Sequence, residues 1–171
     1  MSYDYDLWLR TDSGPDAVLR DVADYMDAAW ERSANSFHAH RHMVQVRRPS
    51  EDLARSFEED LGFVPNIAIG FYPERLSETS PPDEDDDDRI EQRCAAAAHL
   101  LARSSSQGAL IANGEVVVMV DRGDGLTLNI DGELWHLQNL ERWLPPGATF
   151  ARFDGFTQLE EVPAPAGEVR P

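Results

Sequence analysis

Gly108-Ala109-Leu110-Ile111-Ala112-Asn113-Gly114-Glu115-Val116-Val117-Val118-Met119-Val120 reads as two apolar runs on either side of Asn113-Gly114. Asn and Gly both accept the positive φ that a tight hairpin turn demands, and β-branched runs suit a half-buried pleated surface. The stretch predicts an antiparallel hairpin. Asp121-Arg122-Gly123-Asp124-Gly125 then offers a second turn into Leu126, Leu128 and Ile130, and Asp131-Gly132 a third before Leu134, Trp135 and Leu137. Turn signals recurring between apolar runs predict a meander of up to four strands.

Upstream of the hairpin, Ile90, Cys94, Ala97 and Leu101 recur at helical spacing around the helix formers Ala95 to Ala98, so a helix is predicted from Arg89 to about Ser104. Further back, Leu53, Phe57 and Leu61 form one stripe of a second helix over Ser50 to Leu61, with Gly62 where a left-handed cap would end it. Ile67, Ile69 and Phe71 alternate with Ala68, Gly70 and Tyr72 until Pro73, which predicts a buried strand. Toward the N-terminus, Phe37 to Arg47 alternates as one strand with two moderately polar faces. Ser13-Gly14-Pro15 opens a helix expected to reach about Arg32, and Tyr3 to Leu9 has the period of a first strand.

Downstream, a short helical piece is expected after Asn139, broken by Pro145-Pro146-Gly147, with an edge strand over Thr149 to Phe153. The fold class is therefore α+β: an antiparallel-rich sheet with a C-terminal β-meander, packed against two or three helices. A length of 171 residues suits one domain, expected over 1–157, with 158–171 a disordered Pro/Ala-rich tail.

Charge narrows the function classes. Acids outnumber bases 32 to 15, a formal charge of −17. Phosphate backbones and anionic membranes call for basic patches, so nucleic acid and membrane are disfavoured partners; the charge either complements a basic protein surface or serves solubility alone. The single cysteine, Cys94, fits a reducing compartment, and the acidic start Met1 to Asp6 has no apolar signal core, so a cytoplasmic location is expected.

Chemistry-bearing patterns are few. His38, His40 and His42 alternate and are read first as part of a polar, solvent-facing strand; the alternative is a metal site, since one strand would put three imidazoles on the same face. Cys94 and His99 point in different directions on one helix, which makes a buried core thiol the better reading. The chain carries no phosphate-binding glycine loop, zincin helix or nucleophile elbow, and no cofactor is expected. Asp85, Asp86, Asp87 and Asp88 fall where a solvated loop passes into a helix, a position that the backbone dipole favours for negative charge. Trp8, Trp30, Trp135 and Trp143 are expected to be core or rim aromatics.

Glu59-Asp60-Leu61-Gly62-Phe63-Val64-Pro65, followed by Ile67 to Phe71, resembles a signature of the immunity proteins paired with bacterial swarming-inhibition toxins, the Sit type. The resemblance continues through the alanine-rich helix into Gly108 to Val120, and resumes at Leu126-Thr127-Leu128-Asn129 and Trp135. It implies a non-enzymatic protein that binds a cognate toxin and blocks it stoichiometrically. On that reading Asp85 to Asp88 are toxin-binding residues that steer a basic partner. The alternatives are a metal-dependent or otherwise cryptic enzyme built on His38, His40 and His42, and an interaction module with no toxin partner.

Overall fold

The computed structural model describes residues 4–31, 34–39, 42–73, 86–103, 107–131 and 140–163. In chain order these form β1 (Tyr5–Arg10), α1 (Pro15–Tyr25), β2 (Ser36–Ala39), β3 (His42–Arg47), α2 (Glu51–Leu61), β4 (Ile67–Pro73) and α3 (Asp86–Arg103). They continue with β5 (Gln107–Ala112), β6 (Val116–Asp121), β7 (Leu126–Asn129), α4 (Leu140–Trp143), β8 (Thr149–Asp154) and β9 (Thr157–Val162). The strands make one nine-stranded sheet in the order β2-β3-β4-β1-β5-β6-β7-β8-β9. All pairs are antiparallel except β7 with β8.

The expected α+β class holds, as does the Asn113-Gly114 turn. Both residues have positive φ, 52° and 71°, and Glu115 N–H donates to the Ala112 carbonyl across them. Asn113 also fixes the start of β1: its side-chain oxygen accepts from Asp4 N–H, and its own N–H donates to the Asp4 carbonyl.

Several boundaries differ from expectation. The first helix stops at Tyr25 rather than Arg32, because Asp27 takes a left-handed φ of 51° and breaks the helical ladder. The run Phe37 to Arg47 is not one strand but the antiparallel pair β2 and β3, with Phe37 opposite Val44. The strand β8 is not an edge, since β7 and β9 flank it. The last strand, β9, occupies residues expected in the tail from 158 onward, so ordered structure continues to Val162. The fourth meander strand around Leu134 to Leu137 lies outside the described residues.

The central strands are covered on both sides. On the front, Tyr5, Leu7, Ile69, Phe71, Leu110 and Leu128 meet Val18, Leu19 and Val22 of α1 and the alanine-rich side of α3. Ala96, Ala97 and Ala98 are almost completely buried, and their small side chains let α3 approach closely. On the back, Trp8, Ala68, Ala109 and Val120 meet Phe57 and Leu61 of α2 together with Phe63. A fully buried large apolar side chain contributes on the order of 2 kcal/mol.

The helix α2 is anchored at both ends. Ser50 Oγ accepts from Leu53 N–H at its start, and Gly62 takes the left-handed cap at its end. Arg122, from the turn after β6, donates through Nε to the Leu61 carbonyl and through Nη1 to Gln158 of β9, so one guanidinium ties the helix C-terminus to the last strand. Among the described residues no helix is long and apolar enough to cross a membrane.

Candidate functional site: the polar cluster on the back of the sheet

Alternation along β1, β3 and β4 sends Asp6 and Trp8, Met43, Gln45 and Arg47, and Gly70 and Tyr72 to the back of the sheet. The helix α2 takes the Trp8 end of this surface, with the Phe57 and Trp8 ring centroids 4.7 Å apart. Beyond Trp8 the surface becomes polar. Arg47 stands over the Trp8 ring, its guanidinium carbon 5.3 Å from the centroid. It donates through Nη1 to the Tyr72 hydroxyl at 2.5 Å and through Nη2 to Asp6 Oδ1 at 3.2 Å.

Gly70 makes this arrangement possible: a Cβ there would fall inside the Tyr72 ring, which lies across the glycine. Burial raises the Asp6 carboxyl above the ordinary carboxylate range, with the neighbouring Asp4 adding to the rise and Arg47 opposing it. The cluster presents an aromatic ring, a guanidinium and a carboxylate in fixed relation, with the Arg47 side chain 39% exposed and Asp6 19%. Such a set can hydrogen-bond and stack against another surface.

A second cluster lies on the outside of the two front helices. Asp21 Oδ1 accepts from Arg103 Nη1 at 2.7 Å and lies 3.4 Å from His99 Nε2, and His99 stacks on Tyr25 at 4.2 Å between centroids. Beside it an open cavity of about 160 Å³ has Leu9, Val18 and Leu100 as its floor and Thr11, Asp21 and Arg103 among its polar walls. Between sheet and helices, buried Arg93 donates from Nε to His42 Nε2 at 2.7 Å and stacks over Tyr5 at 4.7 Å. A guanidinium has only donors, so His42 Nε2 is an acceptor and carries no proton in this pair.

The alternative histidine site, three imidazoles on one face of one strand, does not have that geometry here. His38 and His42 lie on different strands and on opposite sides of the sheet, His38 exposed and His42 fully buried, while His40 lies outside the described residues. Among the described residues no group of three or more His, Cys, Asp and Glu side chains could hold a metal ion. The missed signal is a phase change: Phe37 and Val44 both face the core, one at an odd and the other at an even position, which one continuous strand cannot do.

Of the four expected toxin-binding acids, Asp86, Asp87 and Asp88 open α3, and Asp85 lies outside the described residues. Cys94 is fully buried, and that burial pushes its thiol well up, while His99 is engaged with Asp21. Neither the Arg47 cluster nor the Asp21 cluster is evident from sequence. The single glycine inside an alternating strand, Gly70, is the available sign of a close approach.

No curated protein and no solved structure matches this chain. A family model described as SitI3-like matches residues 3–139, which takes in the sheet from β1 to β7 and the three longer helices. With most of its 171 residues inside that match, the chain belongs to the SitI3-like family of Sit-type immunity proteins.

Proposed function

We propose that this protein is an immunity protein that neutralises a cognate bacterial toxin by binding it stoichiometrically and covering its working surface, and that it does so in the cytoplasm without turning over a substrate. The observation that carries this reading is membership of the SitI3-like family across residues 3–139. The formal charge of −17 supports a partner with a basic surface, because a strong negative field speeds encounter with cations and disfavours like-charged competitors. In this reading Asp85 to Asp88, at and just before the start of α3, contribute to steering.

The test is co-expression with the product of the adjacent gene, scoring cell survival and isolation of a complex. Toxicity relieved by this protein, with a stable one-to-one complex, is the expected result. A harmless neighbour that forms no complex overturns the reading. Asp85 to Asp88 replaced together by Asn should slow association and flatten its salt dependence, leaving dissociation nearly unchanged. Association kinetics equal to the parent's would count against these acids as the steering patch.

A further inference from the structure

We infer that the basic toxin docks on the back of the sheet beyond Trp8, with Tyr72 and Arg47 as the central anchors. This inference rests on the immunity reading above and assigns its contact surface. Among the described residues α2 packs only on the Trp8 side of this face. Met43, Gln45 and Tyr72 are partly open, and His38 is exposed beside them.

Tyr and Arg are among the side chains that most often dominate binding energy at protein interfaces, and here both are already fixed. The Tyr72 ring is laid over Gly70, and Arg47 is held between the Tyr72 hydroxyl, Asp6 and the Trp8 ring. Side chains ordered before contact lose little conformational entropy on binding, so more of the contact energy appears as affinity.

Charge selects the occupant. Along α2 the exposed Glu51, Asp52, Glu58, Glu59 and Asp60 outweigh the exposed Arg55 and the Arg48 that precedes the helix, and Asp4 and Glu115 are exposed at the end where the Asn113-Gly114 turn meets β1. Arg47 is balanced by Asp6 at 3.2 Å, so the centre is close to neutral while its borders are acidic. A partner with an uncharged centre and a basic rim is complementary to that pattern. A second copy of this chain would set acid against acid.

The test uses the full chain and the product of the adjacent gene, with affinity measured for Tyr72→Ala, for Gln45→Arg and for Tyr25→Ala on the opposite side of the molecule. Gln45→Arg adds bulk and positive charge to the surface without removing a core group. Tyr72→Ala and Gln45→Arg should each raise Kd by about 30-fold or more while Tyr25→Ala leaves it within about 3-fold. If Tyr72→Ala lowers the melting temperature enough to obscure binding, Gln45→Arg decides the question alone. A complex that tolerates the variants on this face overturns the docking surface and leaves the immunity reading standing. Absence of both toxicity and complex overturns the immunity reading and this inference with it.

Discussion

On the front of the sheet, helices of 11 and 18 residues lie against the strands and close a continuous apolar layer from Phe37 of β2 to Phe150 of β8. On the back, among the described residues, one helix of 11 residues packs Phe57 against the Trp8 ring of β1, and its shelter gives way to the Arg47, Tyr72 and Asp6 cluster. The same strands thus serve two unequal layers. Residues facing forward are committed to stability, and substitution there is costly wherever it falls. Residues facing backward are apolar and buried near α2, and beyond it polar side chains take their place.

Truncation of the two cores should expose this inequality. Phe71→Ala, in the middle of the front layer and fully buried, should cost about 4 kcal/mol in urea unfolding. Phe57→Ala should cost about 3 kcal/mol, because the smaller back layer can settle around the loss. Hydrogen exchange should quicken across α2 in that variant while β1 and β4 keep their protection. Equal costs, or exchange quickened throughout the sheet, would mean that the two layers are one cooperative unit.

Anchoring of α2 is a smaller term. Ser50→Ala removes the acceptor for Leu53 N–H, and Gly62→Ala forces a Cβ into a φ of 83°; each should lower stability by about 1 kcal/mol. A loss too small to measure in both would show that Arg122 alone secures the helix.

The smallest effect concerns Asp6. Its folded carboxyl titrates above the unfolded value, so between the two the native state binds more protons and stability falls as pH rises through that window. At neutral pH the buried charge is a net burden. Asp6→Asn should therefore match or slightly exceed the parent at pH ~7, and the gap should close as pH is lowered through the carboxylate range. A variant clearly weaker at neutral pH would mean that the Arg47 contact outweighs burial.

Legibility in the sequence followed the distance over which each feature is decided. The Asn113-Gly114 turn, the Gly62 cap and the Ile67 to Phe71 strand are written in neighbouring residues, and the structure has them where local chemistry puts them. The split between β2 and β3 is hidden because alternation persists across it; only the exchange of core phase between Phe37 and Val44 marks the break. The parallel joining of β7 and β8, and the place of β9 at the rim, depend on pairings between distant segments for which a strand's own residues give no instruction. The Arg47 cluster is illegible for the same reason, since it joins β1, β3 and β4 through side chains that each look like ordinary surface residues.

The position of β1 sets the order in which the molecule can be made. It is the first of these strands to leave the ribosome, yet it lies between β4 and β5, with Tyr5 opposite Phe71 on one side and Ala112 on the other. Neither neighbour exists until long after β1 has emerged, so the centre of the sheet cannot close during the early part of synthesis. Contacts of such sequence separation make closure slow and leave a strand edge open to wrong partners in the meantime. The carboxylates of Asp4 and Asp6 travel with that edge from the start, and charge on an open strand edge disfavours pairing with a wrong neighbour.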